Sequence, residues 1–421
     1  MKVFKFGGAS INSIERIKAT TGLIATAPGE KILVIVSAMG KTTNALEAVV
    51  QSFWEGRQGE ALELFRIIKQ NHIDTLKYLT VLEWNDATTR LNDFFTEVEW
   101  LLHDKPVRNF DYYYDQVVCS GELMSSSMLA SFFKEEKLNA TWIDVRDVIR
   151  TDDNFREALV DWTITENNIA EKVTPLFNTY DIVVTQGFIG STDENESTTL
   201  GREGSDYSAA IFANLLPAKD VTIWKDVDAV MSADPRLFPE AVIMPELSYL
   251  EVIEMAYYGA QVIHPNTIKP LQNKNIPLYV KSFLDPSLPG TIITDHISRG
   301  LPPVIVKKEK QVLAQFRSTD YSFVEGKTAQ ALQDIFREIR IKPNLSQHTA
   351  ISWLCCFDDH AEKIDAMALA ASAIFEVDIE RGLTLLTVRH YEEEKLNELA
   401  NGKTIILEQR TPSTVQQVLR G

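Results

Sequence analysis

The segment Lys31-Ile-Leu-Val-Ile-Val36 constrains this chain more than any other. Its apolar run is almost entirely β-branched and offers no polar side to water. That pattern fits a strand covered on both faces, as in parallel sheets whose crossover helices lie above and below. The flanking sequence repeats the theme. Val3 to Phe6 reads as a short strand stopping at Gly7-Gly8, and Ile11 to Ile24 carries the spacing of a helix. Ser37-Ala-Met-Gly-Lys-Thr-Thr43 is a polar loop, with a helix expected from Asn44. Strand, polar loop and helix in alternation predict βαβ units. The expected fold is α/β, a mostly parallel sheet sandwiched between helices.

Residues 51 to about 118 are poor in Gly and Pro and read as helical, with Phe94, Phe95, Val98, Leu101 and Leu102 at core spacing. Tyr112-Tyr113-Tyr114 is read as packing. Strands resume at Trp142 to Val145, Asp181 to Thr185 and Val221 to Trp224, and a helix at Tyr207 to Leu216. The stretch 191–206, rich in Ser, Thr, Gly and acids, is expected to be a long polar loop, the kind that usually carries function. Proline-rich punctuation at 285–290 and 302–303 places a domain boundary near residue 302. The tail, 303–421, is predicted as strands at 311–317, 350–357, 383–389 and 404–407, with helices at 327–339, 362–373 and 393–399. This looks like small βαβ modules in an α+β tail domain, one whole and a second reduced.

Composition narrows the function. The net charge of −17 disfavours nucleic-acid binding, which needs a basic surface. With 45% hydrophobic residues the chain has ample core. No apolar run approaches the ~20 residues of a membrane span. The alternating N-terminus is unlike a signal peptide. Cys119, Cys355 and Cys356 lack disulfide or metal spacing, so a cytoplasmic setting and no metal cage are expected.

Chemistry should lie in the loops that follow strands, where open α/β sheets bind ligands. Four are polar and rich in small residues: Lys5-Phe-Gly-Gly-Ala-Ser10, Ser37 to Thr43, Gln186-Gly-Phe-Ile-Gly190, and Thr198 to Asp206. Glycines let backbone N–H groups approach phosphate oxygens, and a following helix adds its dipole. Neither a G-x-x-x-x-G-K-[ST] loop nor an H-R-D signature is present.

In these loops the sequence resembles aspartate kinases of the amino-acid kinase superfamily. Lys5 to Ser10 is similar to that family's K-F-G-G-[ST]-S signature. The resemblance continues through Val36 to Asn44, Ser120-Gly-Glu-Leu-Met-Ser125, Thr185 to Gly190, Thr198 to Tyr207, Trp224 to Asp228, Asp234-Pro-Arg236 and Tyr258 to Pro265. It covers most of residues 1–290 in family order; the tail resembles regulatory ACT modules more weakly. The resemblance implies an ATP-dependent kinase that phosphorylates the side-chain carboxylate of L-aspartate, giving 4-phospho-L-aspartate and ADP. That would be the first step toward lysine, threonine and methionine. ATP and Mg²⁺ would be required, and a homodimer would form through the tail. No G-x-G-x-x-G unit is present, so no fused dehydrogenase is expected.

The residue types suit those tasks. A lysine can meet the charge that develops on a transferred phosphoryl group, and Lys5 beside Gly7-Gly8 is placed for it. Asp206, at a helix start, could orient Lys5 or the metal; it is also a good helix cap. Arg202 suits the substrate α-carboxylate in a bidentate grip, and Glu122 its α-ammonium, although a charged helix residue is often merely solvated. By resemblance Thr43, Phe188 and Ser205 join the substrate site. Ser37, Lys225, Asp226 and Arg236 join the nucleotide side with Lys5, Gly7 and Gly8. His264 is read as structural.

Three departures stand out. Glu203 occupies a position where the family has glycine, and should point away from phosphate or pair with a cation. Gln261 stands where relatives often have lysine, and Lys225 replaces a common threonine. The third is the short tail. Other readings are a kinase for another small acid, such as acetylglutamate or glutamate, or a non-catalytic amino-acid sensor on the same scaffold.

Overall fold

The computed structural model describes residues 1–26, 29–260, 262–296, 300–320 and 322–421; Gln261 therefore lies outside the described residues. The backbone divides into two compact units. The first comprises Met1–Val230, Met244–Ile253 and Gln261–Ser298, the second Met231–Ile243, Glu254–Ala260 and Arg299–Gly421. Two short segments before residue 302 thus group with the tail. For the first the reason is apolar, since Ala233, Phe238 and Ala241 pack with Ile305, Leu386 and Val388; for the second it is charge, Arg389 pairing with Glu254 (2.9 Å).

In chain order the first elements are β1 (Lys2–Phe6), α1 (Ile14–Ala25), β2 (Ile32–Val36), α2 (Thr42–Trp54), α3 (Gln58–Leu79), α4 (Trp84–His103), α5 (Phe110–Val118) and α6 (Ser120–Glu135). There follow β3 (Ala140–Trp142), α7 (Trp162–Asn168), β4 (Ile182–Gln186), β5 (Ile189–Ser191), β6 (Ser197–Thr199), α8 (Gly204–Leu215) and β7 (Asp220–Lys225). Then come β8 (Glu246–Ser248), α9 (Tyr249–Tyr258), α10 (Pro265–Asn273), β9 (Leu278–Ser282) and β10 (Thr291–Thr294).

The main sheet runs β3-β4-β2-β1-β7-β9-β10-β8. It is parallel except where β10 meets β9. Every residue of β2 and of β4 is buried, as two-sided cover requires. β1 is central, with Lys5 between Ile35 and Ile223. α6 is buried along nearly its whole length despite its serines. Ser126, Ser127 and Ser131 donate to backbone carbonyls three or four residues back, so burying them leaves no hydroxyl unsatisfied.

Two expectations need correction here. The expected loop 191–206 is an antiparallel hairpin, β5 with β6, leading directly into α8. Ser197, Thr198 and Thr199 are buried in it, so their polarity reflects hydrogen bonding rather than exposure. The strand expected through Val145 stops at Trp142, and Val145–Asp147 forms a 3₁₀ turn.

The second unit continues with β11 (Val304–Ser318), α11 (Gly326–Glu338), β12 (Leu345–His348), β13 (Ser352–Asp358), α12 (Ala361–Ala371), β14 (Phe375–Arg389), α13 (Glu393–Ala400), β15 (Thr404–Arg410) and β16 (Thr414–Arg420). Its sheet, ordered β12-β13-β11-β14-β16-β15, is antiparallel throughout rather than built of parallel βαβ modules. β11 and β14 are long enough to serve two halves, with register shifts between Lys308 and Leu313. α11 and α12 contribute Leu332, Phe336, Ile364 and Met367 to the core of one half. α13 alone contributes Leu396 and Leu399 to the core of the other. β13 and β14 are interior strands of this sheet.

Candidate active site

Three loops and one helix start abut at the carboxyl ends of β1, β2 and β4. Ser37 N–H donates to Phe6 O (3.1 Å), Gly187 N–H to Val36 O (3.0 Å), and Gly40 N–H to Gly8 O (3.1 Å). The contacts are too close for side chains. A Cβ on Gly8 would fall 2.7 Å from the carbonyl oxygens of Ala38 and Gly40, and one on Gly187 would fall 2.6 Å from Ser205 Cβ. These glycines therefore let the backbones touch.

Lys5 and Asp206 meet in this cleft. Lys5 Nζ lies 2.6 Å from Asp206 Oδ1, with side-chain exposures of 12% and 3%. Lys225 Nζ, at the end of β7, is 4.0 Å from Asp206 Oδ2 and donates to Val262 O (2.6 Å). Burial pushes the Asp206 carboxyl up, but the Lys5 and Lys225 ammonium groups outweigh it and leave its pKa below the ordinary carboxylate value. Asp206 is thus an anion set between two cations at the start of α8, not merely a helix cap. Gly7 lines the same spot, its Cβ direction 3.5 Å from Lys5 Nζ.

Glu122 is 3% exposed, near the start of α6. Its Oε1 accepts from Ala38 N–H (3.1 Å), which ties it to the loop after β2. Its Oε2 is buried with no partner among the described residues. Burial pushes its pKa up to about 8 against the pull of that bond and of Lys5. A buried acid with one unsatisfied oxygen is matched to an incoming ammonium, which would restore its charge. Ser125 Oγ donates to Ser37 O (2.7 Å) and fixes the same loop. Thr43 and Ser37 are half-buried at the loop's two ends.

The segment into α8 is unusual. Phe188 adopts φ +74° and Glu203 φ +54°, left-handed conformations that side chains rarely take. Phe188 packs so tightly on Gly204 that a Cβ there would meet its ring at 2.7 Å. The conformation of Glu203 explains why glycine suits this position in relatives. No cation pairs with Glu203 among the described residues, and its Oε2 is buried and unpartnered there. Arg202 is exposed and likewise has no acidic partner among the described residues. It borders a cavity of about 660 Å³ with Gly201, Tyr207, His264 and Lys269. His264 is structural: its Nδ1 accepts from Asn266 N–H (3.3 Å) and caps α10. Asp226 is exposed just after β7. Arg236 belongs to the second unit, where it is exposed and pairs with Asp234 at 2.7 Å.

Asp115, unremarked in the sequence, is fully buried. It accepts from Arg156 N–H (2.9 Å), Thr199 N–H (2.8 Å) and Thr199 Oγ1 (2.7 Å). Burial pushes its pKa up to about 6, less far than it would without those bonds. Its neighbours Tyr113 and Tyr114 are core, in keeping with their reading as packing. An acid amid buried aromatics is the one signal that could have exposed it.

Residues 1–282 match the amino acid kinase family. Lysine-sensitive aspartokinase 3 of Escherichia coli is 30% identical over 396 residues, covering 92% of this chain and 86% of that one. The chloroplastic bifunctional aspartokinase/homoserine dehydrogenase 1 of Arabidopsis thaliana is 32% identical over 390 residues. That match takes in 89% of this chain but 42% of the bifunctional protein, so the chain spans about four-tenths of its length. Among solved structures, E. coli aspartokinase III in complex with aspartate and ADP superposes with a TM-score of 0.86 at 26% identity, covering 100% of this chain and 96% of that one.

Proposed function

The chain belongs to the amino acid kinase family and, within it, to the aspartokinases; from that premise we propose that it transfers the γ-phosphoryl group of ATP to the side-chain carboxylate of L-aspartate. The reaction forms a bond from a carboxylate oxygen to the γ-phosphorus and breaks the bond to the β-phosphate oxygen, releasing ADP and 4-phospho-L-aspartate. The nucleophile is already an anion at neutral pH, so no general base is required, and the work is positioning and charge stabilisation.

The observation that carries this reading is the pair Lys5–Asp206 at the start of α8, beside the unsatisfied oxygen of Glu122. Lys5, held by Asp206, meets the charge that grows on the transferred group. Gly7, Gly8 and Ser37 bring backbone and hydroxyl donors to the phosphates, with Lys225 and Asp226 on the nucleotide side. Arg202 grips the α-carboxylate and Glu122 the α-ammonium. Thr43, Phe188 and Ser205 complete the substrate wall. Mg²⁺, when bound, would neutralise phosphate charge. Among the described residues no three acidic, histidine or cysteine side chains converge on one point. The ion would therefore be held mainly by the nucleotide's own oxygens, with Asp226 the exposed carboxylate at hand.

Residues 1–302 would form the catalytic domain and 303–421 an ACT-like regulatory and dimerisation region. β12 and β15, at the ends of the second sheet, offer backbone groups to a second copy. The three buried, unpaired cysteines fit a reducing cytoplasm, and among the described residues no helix is long and apolar enough to cross a membrane. An ADP-release assay with a panel of amino acids tests the proposal. Turnover with L-aspartate supports it, turnover with glutamate or acetylglutamate alone would move the substrate, and no turnover would favour a sensor.

A further inference from the structure

The strand that leads into Arg202 is held from one side by two adjacent residues of α5. Asp115 takes both the N–H and the hydroxyl of Thr199, at 2.8 and 2.7 Å, and also the Arg156 N–H at 2.9 Å. Gln116 treats Ser197 as a neighbouring strand would: its Nε2 donates to Ser197 O (2.8 Å) and its Oε1 accepts from Ser197 N–H (3.1 Å). One edge of β6 is thereby fixed within three residues. Ala158 N–H donates to Thr199 O (3.0 Å), and Leu200 N–H to Phe188 O (2.8 Å). Gly201, at φ +76°, then turns the chain over Arg156 O to present Arg202.

The other end of this arrangement is Glu122. α5 ends at Val118, Cys119 keeps a helical backbone, and α6 begins at Ser120, so Asp115 and Glu122 lie on nearly continuous helix. Seven residues are about two turns, or ~10 Å of rise. One nearly continuous helical stretch thus carries Glu122 at one end and grips the strand of Arg202 at the other.

We propose that Asp115 and Gln116 are positioning residues that set the separation between Arg202 and Glu122, and thereby the affinity for the amino-acid substrate. The inference rests on reading Arg202 and Glu122 as the two anchors of aspartate. Loosening the clamp leaves Lys5, Asp206 and the nucleotide side in place, so the substrate terms alone should move.

The test is steady-state kinetics on Asp115→Asn and Gln116→Leu, with aspartate and ATP varied separately. Asp115→Asn turns an amide donor toward backbone donors; Gln116→Leu is the milder change, at a half-buried site. KM for aspartate should rise tenfold or more, with KM for ATP within twofold and kcat within threefold. In an Arg202→Ala background the same changes should add less than twofold, because the residue they position is gone. Lower thermal stability with both KM values unchanged would mean a merely structural role and overturn the proposal, as would full additivity with Arg202→Ala. The two failures are distinguishable. If Arg202→Ala leaves KM for aspartate unchanged, the substrate reading falls and the clamp with it. If Arg202→Ala raises KM but the clamp variants do not, the clamp alone falls.

Discussion

Removing the Lys5 ammonium tests the centre of the proposed mechanism. Lys5 Nζ and Asp206 Oδ1 are 2.6 Å apart and nearly buried. At an effective dielectric near 20 their gross attraction is about 6 kcal/mol, most of it offset by desolvation. Truncation to alanine leaves Asp206 buried with Lys225, at 4.0 Å, as its remaining cation. Breaking such a pair costs about 3–5 kcal/mol of stability, and the second cation should hold the loss near the lower end. The catalytic loss is separate: removing a preorganised contact to developing charge costs ~10²-fold or more in kcat. KM for aspartate should change far less, because the charge grows mainly in the transition state. The design is Lys5→Ala alone and with Asp206→Asn, assayed by thermal unfolding and coupled ADP release. The double variant should recover stability, since the buried anion is gone, and remain inactive. Near wild-type kcat in a folded Lys5→Ala protein would refute the role. A double variant no more stable than the single would refute the electrostatic account of the pair.

Arg202→Ala should lower kcat/KM for aspartate by about 2–4 kcal/mol, the loss of a charge-assisted bidentate contact, with KM for ATP little changed; collapse of ATP affinity with normal aspartate saturation would put Arg202 on the wrong ligand. Glu122, with its pKa pushed up to about 8, is neutral at lower pH in the free protein, so kcat/KM for aspartate should rise with pH and level off above about 8. Glu122→Gln should abolish that limb, and the stability Glu122 contributes through its bound proton should decline as pH climbs from its ordinary value toward 8. Feedback should be weak or absent in an activity titration with lysine, threonine and methionine, singly and paired, at aspartate near its KM, because one half of the second sheet is covered by a single helix, α13. Strong inhibition at sub-millimolar effector would show a working allosteric site.

The parallel sheet was legible because its signal is local. A β-branched run such as Ile32 to Val36 has one environment that suits it, and the loop after each strand announces itself through glycine and small polar residues. Lys5, Gly8 and Asp206 could be named for the same reason, each lying at a strand or helix end. The antiparallel second sheet was not legible, because strand direction depends on which segments pair across long separations, and β16 passed unnoticed beyond a short helix. The stretch 191–206 misled because polar residues satisfied inside a hairpin look in sequence like polar residues facing water.

What the sequence determined by itself was the layered α/β frame and the types of group at its loops. The tertiary structure alone decided their states. Glu122 differs from any solvated glutamate only because α6 is buried and one of its oxygens finds no donor. Asp206 stays ionised in the interior because β1 and β7 bring two lysines to it. Asp115 became visible once β6 lay against α5, since a hydrogen bond between residues 84 positions apart leaves no local trace. Burial and partnership are properties of the packed chain, and it is through them that an ordinary carboxylate acquires its particular proton affinity and its reach.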